Sequence, residues 1–260
     1  MFFSVICPCY NSSAFISETI ESILGQTYQN FEIIFSDDGS TDETINILEN
    51  FKIKFQEKNI LVKIIKNSHK GPGSARNEAI KNASYEWIAF IDSDDLWTKD
   101  KLNETANEIK KDTSNNCILH RQIFLKLNKK KKFYDYDKYY NFNKSVKNQL
   151  FKTNFFAMST IVIKKKLIID KGGFNEYFQN AQDYDLWLRI GDGFKIKIIK
   201  KYLGYYVERN GNITSKPYHY KFKNIIFILY KNRNDIQYSI LFYRFIRVIF
   251  TLEWFKFIFR

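Results

Sequence analysis

Short apolar runs alternate with segments of helical periodicity over the first hundred residues. Four runs have the length and composition of buried strands, at residues 2–7, 31–35, 60–65 and 87–91. After the first run, apolar residues recur at helical spacing at positions 16, 20, 23 and 24, and comparable stretches follow at 45–55 and 74–83. This β-α-β-α order with apolar strands predicts an α/β fold, in which helices cover both faces of a parallel sheet.

Polar clusters follow three of the predicted strands directly. They cover residues 8–11, 37–40 and 92–95. Because ligands of parallel α/β sheets bind beyond the carboxyl ends of the strands, we expect these clusters to form the functional site.

The pattern is less regular beyond residue 115. Residues 117–127 are expected to form an edge strand that ends in a lysine-rich turn, and residues 159–163 a further strand. The segment from Asp183 to Ile190 has the apolar spacing of a short helix that packs Leu186 and Trp187 inward.

Aromatic and basic residues dominate the last forty positions. The segments 225–230 and 240–259 are rich in Phe, Ile and Tyr, and Lys or Arg residues lie within and between them. Such helices either lie on an anionic membrane surface or pack on the protein core, and the sequence leaves both alternatives open.

Composition and charge narrow the class of protein. With 45% hydrophobic and 18% aromatic residues in 260 positions, the chain is globular rather than disordered. Residues 1–120 contain 12 basic and 18 acidic side chains, a net charge of −6, whereas residues 121–260 contain 29 and 10, a net charge of +19. The basic half suits nucleic acid or an anionic membrane surface.

The N-terminal segment and the cysteines give an expectation for the cellular location. The N-terminal apolar run is short and lacks a basic segment before it, so it predicts neither a signal peptide nor an anchor. No stretch of about 18 uninterrupted apolar residues is present, which argues against a membrane-spanning helix. The three cysteines lack zinc-finger spacing and are interpreted as reduced packing residues of a cytoplasmic protein.

The acidic clusters at the strand ends require an explanation, because like charges at one edge repel each other. Asp92 and Asp94, separated by Ser93 in a tight turn, present hard oxygen ligands that suit Mg²⁺ or Mn²⁺. Such an ion could bridge to the phosphate oxygens of a nucleotide. The three histidines have no metal-ligand spacing among themselves.

Several motifs resemble those of family 2 glycosyltransferases with the GT-A fold. They are SVICPCYN, ExxxSILxQT, FEIIFSDDGSTDET, GPGSARNEAI, WIAFIDSDDLWxxxKL, GGFNE and QDYDLWLRI, in this order between residues 4 and 190. The resemblance covers about residues 3–215 and implies a Rossmann-like, mostly parallel sheet flanked by helices. The basic, aromatic composition beyond it predicts a C-terminal helical appendage that associates with a membrane. The length and the Lys/Asn/Ile/Phe bias are also similar to those of bacterial transferases that build O-antigen or other surface polysaccharides.

The resemblance also assigns binding roles. Residues implied to contact the nucleotide-sugar are Pro8, Tyr10, Asn11, Asp37, Asp38, Arg76, Asp92 and Ser93. Asp37 is implied to accept the uracil N–H, and Asp94 to bind the metal ion directly with Asp92 close by. Arg76 is implied to approach either the donor phosphates or the acidic cluster, where a salt bridge to the Asp92–Asp94 turn is the alternative.

The remaining roles concern the acceptor. Inverting transfer needs a carboxylate that removes the proton of the acceptor hydroxyl, and the resemblance places this base at Asp183, with Gln182 as an acceptor contact. Asp185 is expected to be a helix-start or surface charge, and Arg189 to pair with a nearby carboxylate. Glu208 and Arg209, with Asn210, fall in the segment implied to close over the donor, and Glu208 is the next candidate base.

Together these implications describe an inverting, metal-dependent transferase of a hexose, first glucose and then galactose. The donor is a UDP-sugar, and the acceptor a polyprenyl-diphosphate-linked saccharide at the inner face of the bacterial inner membrane. Residues 1–115 would bind the nucleotide-sugar, 116–216 the acceptor, and 217–260 would form basic aromatic helices. The alternatives are a transferase of lipooligosaccharide or capsule core, a nucleotidyltransferase, and a nucleic-acid-binding protein.

Overall fold

The computed structural model describes residues 1–209 and 218–249. Within these ranges nine strands form one sheet, in the order β3-β2-β1-β4-β8-β6-β9-β5, with β7 paired to β6. The strands are β1 (Phe3–Cys9), β2 (Phe31–Asp37), β3 (Val62–Lys66), β4 (Trp87–Phe90), β5 (Leu96–Trp97), β6 (Cys117–Leu125), β7 (Lys131–Tyr134), β8 (Val162–Lys164) and β9 (Ile196–Val207). The helices are α1 (Ile16–Leu24), α2 (Thr44–Glu57), α3 (Pro72–Lys81), α4 (Lys101–Lys111), α5 (Val146–Lys152), α6 (Lys165–Ile169), α7 (Gln182–Ile190), α8 (Tyr218–Lys231) and α9 (Tyr238–Ile249).

The N-terminal half of the sheet follows the predicted plan. Strand β1 pairs in parallel with β2 and β4, and β2 pairs in parallel with β3. Side chains alternate along β1, so that Val5 and Cys7 pack into the core on one face of the sheet while Ile6 packs into the core on the other. Both faces are therefore covered, as the apolar strands predict. The cysteines are free and buried.

The C-terminal half of the sheet differs from the prediction of a mostly parallel sheet. Strand β8 runs antiparallel to both β4 and β6, and β5 runs antiparallel to β9, whereas β6 and β9 are parallel. The sheet is thus mixed. The predicted edge strand is also wrong, because β6 lies between β8 and β9, where its apolar residues are buried on both faces.

Helices α8 and α9 each have a packed side and an exposed side. Ile228 and Leu229 of α8, and Ile236 between the helices, are buried in the core. Aromatic residues on the opposite surface, such as Phe227 and Phe242, are exposed. Core packing therefore accounts for part of this apolar sequence. Residues 250–259 of the predicted segment lie outside the described residues. No helix in the described ranges has the length and hydropathy needed to cross a membrane.

Candidate active site

The three polar clusters lie at one edge of the sheet, because β1 pairs in parallel with both β2 and β4. Hydrogen bonds connect the loops that leave these strands. The Asn11 amide donates to Ser40 Oγ over 2.9 Å, and the hydroxyls of Ser12 and Ser93 lie 2.9 Å apart. The fold thus brings together segments that are distant in the sequence.

An aromatic pair stands at the exposed end of this edge. Tyr10 is 46% exposed, and its ring stacks on His69 with 4.2 Å between the centroids. His69 Nδ1 lies 2.9 Å from Asp38 Oδ2. Pro8 lies just before this position, in β1 opposite Ser36. A flat aromatic surface beside carboxylates suits a nucleobase, which stacks and donates N–H groups. His69 was missed from the sequence, where it is an isolated histidine.

Asp37 and Asp38 both organise the loops around them. Asp37 Oδ2 accepts hydrogen bonds from the amides of residues 39 and 40, at 3.1 and 2.9 Å. Asp38 accepts from the amides of residues 70 and 71, at 2.9 and 2.8 Å. Since an ionised carboxylate offers about four lone-pair sites, either residue can still accept a further hydrogen bond from a bound base.

The turn after β4 contains crowded carboxylates. Asp92 Oδ1 lies 2.6 Å from Nη2 of the buried Arg76. Burial and then the negative charge of Asp92 raise the pKa of Asp94 to about 6. The salt-bridge alternative for Arg76 is therefore observed, and it leaves negative charge on the turn that is not balanced.

The residues present fit a divalent cation held jointly with a substrate. Within the described ranges, no three His, Cys, Asp or Glu side chains are grouped closely enough to hold a metal ion. Asp92 and Asp94 provide two hard oxygen donors, and Mg²⁺ sites are commonly completed by water and substrate phosphates. A cation there would offset the charge that raises the pKa of Asp94.

A buried network behind the acidic turn holds its shape. Ser159 Oγ donates to Asp95 Oδ2 at 2.5 Å and accepts from the Asp92 amide at 3.0 Å. Trp97 Nε1 donates to the Ser159 carbonyl at 2.8 Å, and Thr19 Oγ1 contacts the carbonyls of Ser93 and Asp95. The sequence gives no signal for Ser159, which lies 64 residues from Asp95.

Helix α7 begins with the predicted acceptor-side residues. Asp183 is half-buried at its second position, and burial raises the pKa of this carboxyl. The charges of Arg76 and Asp92 also act on the Asp183 pKa, the first lowering it and the second raising it, so the three side chains lie in one electrostatic environment. Gln182 is buried, and its Oε1 has no hydrogen-bond partner among the described residues.

Asp185 lies in the first turn of α7, which confirms the predicted helix-start charge, but the alternative of a surface charge is wrong. The side chain is fully buried, and Asp185 Oδ2 lies 2.8 Å from Arg189 Nε. The same guanidinium donates to the carbonyls of Lys171 and Gly173. Arg189 therefore pairs with a carboxylate, as predicted, and Trp187 packs inward with no exposed surface.

Glu208 and Arg209, from the segment expected to close over the donor, make separate contacts. Arg209 Nη2 lies 3.0 Å from Glu18 Oε2, with its guanidinium over the ring of Phe15. Glu208 Oε2 accepts a hydrogen bond from the amide of Leu127 at 3.2 Å. Asn210 lies outside the described residues.

Comparison with known proteins identifies the family. The family model "Glycosyl transferase family 2" matches residues 4–172. Two Escherichia coli relatives, WfaP and WfgD, are each named UDP-Glc:alpha-D-GlcNAc-diphosphoundecaprenol beta-1,3-glucosyltransferase. They are 31% and 34% identical over 86% and 72% of this chain, and 82% and 68% of their own. An uncharacterised glycosyltransferase of Rickettsia felis is 36% identical over 77% of this chain, which spans about a third (32%) of that relative.

Solved structures share the fold at lower sequence identity. Staphylococcus aureus TarS 1–349 in complex with UDP-GlcNAc has a TM-score of 0.73 at 23% identity, over 97% of this chain and 73% of that one. The mannosyltransferase PcManGT from Pyrobaculum calidifontis, in complex with GDP-Man and Mn²⁺, has a TM-score of 0.71 at 17% identity. The similarity covers 96% of this chain and 70% of that one. With the family model and the E. coli relatives, this similarity shows that the chain belongs to glycosyl transferase family 2 and has the GT-A fold.

Proposed function

We propose that this chain transfers a hexose with inversion from a UDP-sugar to a lipid-diphosphate-linked saccharide during the assembly of O-antigen or another surface polysaccharide. Glucose is the first candidate for the sugar and galactose the second. The names of WfaP and WfgD support this donor and acceptor class, since each relative matches at least 68% of its own length. In this proposal residues 1–115 bind the donor and 116–216 the acceptor.

The observation that carries the proposal is the position of Asp183. It stands at the start of α7, where the charges of Arg76 and Asp92 act on its carboxyl group. A base for glycosyl transfer needs this place, next to the donor phosphates and within reach of an incoming hydroxyl. The family membership does not support the alternative of a nucleotidyltransferase.

The chain's own residues would act as follows. The uracil ring of the donor stacks on Tyr10 and donates its N–H to Asp37, while Asn11 and Ser93 line the position of the ribose. Arg76 donates to the diphosphate. Asp183 removes the proton of the acceptor hydroxyl as the new C–O bond forms and the bond to UDP breaks.

The remaining site residues would complete the donor and acceptor positions. Asp38 holds the loop next to the uracil ring, because it accepts hydrogen bonds from the amides of residues 70 and 71. Gln182 contacts the acceptor, and Glu208 and Arg209 cover the donor. A divalent ion, Mn²⁺ or Mg²⁺, held by Asp94 and Asp92 supplies positive charge for the departing diphosphate.

We also propose that the exposed face of α9 lies on an anionic membrane surface, as a peripheral contact at the inner face of the membrane. Tyr238, Phe242 and Ile246 recur every four residues and are 90%, 67% and 37% exposed. Arg244 and Arg247 of the same helix face the protein, where they donate to the Lys152 carbonyl and the Thr153 hydroxyl. The proposal therefore rests on the exposed apolar and aromatic stripe, which is typical of interfacial binding, and on the net charge of +19 of residues 121–260.

Release of UDP tests the catalytic proposal. Purified protein with Mn²⁺ is given a panel of UDP-sugars, with and without a synthetic GlcNAc- or GalNAc-diphosphate-lipid acceptor. We expect acceptor-dependent UDP release with UDP-glucose or UDP-galactose. If UDP is released only with a lipooligosaccharide or capsule acceptor, the acceptor class is wrong. If no UDP-sugar is used with any acceptor, the proposal fails.

Vesicle flotation tests the membrane contact. We expect the protein to float with vesicles containing anionic lipid and to be released in part by salt. Replacing Tyr238, Phe242 and Ile246 with Ser should abolish flotation. Exposed Phe2, Ile53 and Leu61, all far from α9 in the sequence, provide the matched control when replaced with Ser. Equal loss in both variants would contradict the proposal.

A further inference from the structure

A groove of about 750 Å³ opens beside α7, outside the proposed donor site. Its walls come from α3, the loop at residues 171–177, α7 and the end of α8. Among the residues that line it are Lys70, Asn77, Lys171, Asp185, Arg189 and Lys231.

The side chains that line this groove have a net positive charge. Its two acidic side chains are already engaged, Asp185 with Arg189 at 2.8 Å and Glu176 with the amide group of Asn77 at 2.8 Å. Each nitrogen of the Arg189 guanidinium already donates a hydrogen bond, to Asp185 or to one of two backbone carbonyls. Among the described residues that line the groove, three lysine amino groups remain without an ion pair.

Those three lysines, at positions 70, 171 and 231, differ from many others on the surface. Across residues 1–209 and 218–249, no carboxylate lies within ion-pair distance of any of the three. By contrast, Lys54, Lys81 and Lys201 each approach a glutamate, at 2.9, 2.7 and 2.8 Å. Unpaired lysines gathered around one concave surface favour an anionic ligand, and the lysine ammonium is a common phosphate-binding group.

The groove shares its walls with the proposed active site. Helix α3 carries Arg76 toward the acidic turn and Asn77 into the groove, and α7 carries Asp183 and, two residues later, Asp185. Asp183 and Asp185 are two positions apart on α7 and therefore point about 200° apart, so this helix separates the proposed base from the groove. A ligand that reaches from the groove to Asp183 therefore has to pass around the first turn of α7.

The other end of the groove reaches the exposed aromatic face. Lys231 is the last residue of α8, one turn beyond Phe227, which is exposed and contacts the ring of Phe178 with 6.0 Å between the centroids. Tyr177, at the rim of the groove, is 95% exposed. In this arrangement the three lysines lie between Asp183 and the exposed aromatic residues.

We propose that this groove binds the phosphate groups of the acceptor, the diphosphate of a lipid-linked saccharide. The inference rests on the proposed function, which supplies the acceptor class. The saccharide end lies toward Asp183, the diphosphate between Lys70, Lys171 and Lys231, and the lipid along the aromatic residues of α8. The three lysines are positioning groups for the acceptor and do not touch the donor.

The test compares two acceptors and two sets of lysines. Lys70→Gln, Lys171→Gln and Lys231→Gln are combined in one variant. A control variant carries Lys99→Gln, Lys110→Gln and Lys200→Gln, three exposed lysines with no ion pair in the described ranges, so the net charge changes equally. Each protein is assayed with a diphosphate-lipid-linked sugar and with the same sugar on a neutral aglycone.

For the groove variant we expect KM for the diphosphate acceptor to rise about 10- to 100-fold, a range that the loss of three solvent-exposed lysine–phosphate ion pairs produces. KM for the neutral acceptor and for the UDP-sugar should stay within about twofold, as should every value for the control variant. An equal rise with both acceptors, or the same rise in the control variant, overturns the inference.

Direct binding separates this inference from the proposed function. Isothermal titration with farnesyl diphosphate should show binding to wild type that the groove variant loses and the control variant keeps. Inorganic pyrophosphate, tested in parallel, shows whether phosphate alone suffices or the lipid is also needed. If wild type releases no UDP with either acceptor, the proposed function has failed, and farnesyl diphosphate binding still decides the groove. Equal binding by both variants contradicts it.

Discussion

Arg76 and Asp92 form a close ion pair that uses only part of the guanidinium group. Nη2 lies 2.6 Å from Asp92 Oδ1, whereas Nε and Nη1 are buried and have no hydrogen-bond acceptor among the described residues. Leaving a buried donor unpaired costs about 1–3 kcal/mol. The diphosphate of a UDP-sugar would supply acceptor oxygens for these nitrogens once the side chains that cover them move aside.

This leads to a prediction for Arg76. Arg76→Gln should weaken UDP binding and lower kcat/KM for the UDP-sugar about 10- to 100-fold, because a charge-assisted hydrogen bond contributes about 1.5–3 kcal/mol. The UDP affinity and kcat/KM of Arg76→Lys should lie between those of wild type and Arg76→Gln, since lysine keeps the positive charge and lacks the planar guanidinium group. Titration calorimetry with UDP measures the effect. Unchanged UDP affinity in Arg76→Gln would leave Arg76 as a purely structural partner of Asp92.

Ser159 should set the position of the acidic turn. Ser159→Ala leaves Asp95 Oδ2 without its donor and the Asp92 amide without its acceptor. We expect kcat to fall about tenfold, the equivalent of about 1.4 kcal/mol, and the Mn²⁺ concentration for half-maximal activity to rise. The control is Ser114→Ala, an exposed serine. A lower Tm with an unchanged Mn²⁺ requirement would show that Ser159 contributes to stability alone.

Asp94 should be required for turnover and dispensable for folding. Replacing it with Asn removes an acidic group from a turn where burial and then the negative charge of Asp92 raise the Asp94 pKa to about 6. Tm should therefore stay the same or rise, while turnover at saturating Mn²⁺ and donor is lost. Electron paramagnetic resonance of Mn²⁺ with UDP present should show loss of the bound ion. Wild-type turnover in Asp94→Asn would remove the metal assignment. Asp112→Asn, in an exposed turn, is the control.

Lys101 makes a prediction about stability rather than activity. It is fully buried, and its Nζ lies 3.7 Å from the centroid of the Trp97 ring and has no hydrogen-bond partner in the described ranges. Burial lowers the pKa of this lysine well below its usual value. The folded state therefore releases the proton at a lower pH than the unfolded state, and stability rises as pH increases between the two pKa values.

Lys101→Met should consequently raise the free energy of unfolding at pH 7, by about 1–4 kcal/mol, the range seen when buried ion pairs are replaced by well-packed apolar residues. The gain should shrink as pH approaches the unfolded lysine pKa of about 10.4. Urea unfolding at pH 7 and pH 9.5 measures both quantities. A variant that is less stable than wild type at both pH values would show that the contact with Trp97 outweighs the burial of the charge.

The half of the fold that is built from local repeats could be predicted from the sequence. Strands β1, β2 and β4 are continuous apolar runs, and the polar residues after them meet because parallel neighbours end at one edge. The position of β6 could not be predicted in this way. Its partners β8 and β9 lie about 40 to 80 residues away, and a short apolar strand does not indicate which neighbours it will have.

The errors at the site have similar physical reasons. Ser159 and His69 act through contacts that are distant in the sequence, and neither residue type in isolation indicates a role. Asp185 had a local signal that was available, because Asp and Arg four residues apart on a helix commonly pair. What the sequence lacked was the burial of that pair against the loop at 171–173.

The central claim of this account is that Asp183 is the catalytic base. A base must be ionised, and burial raises the pKa of this carboxyl, so kcat/KM should fall on the acidic side at a higher pH than for an ordinary aspartate. Asp185→Asn is not a suitable control, since it breaks the buried pair with Arg189. Asp112→Asn, in an exposed turn, serves as the control, and Glu208→Gln tests the other candidate carboxylate.

The most direct measurement is therefore kcat of Asp183→Asn with the preferred UDP-sugar and acceptor, alongside its affinity for UDP. The substitution keeps the shape of the side chain and removes its ability to accept a proton. We predict a loss in kcat of roughly 10²- to 10⁴-fold, with UDP affinity within about twofold of wild type and Glu208→Gln largely active. Wild-type turnover in Asp183→Asn, together with an inactive Glu208→Gln, would contradict the account and move the base to Glu208.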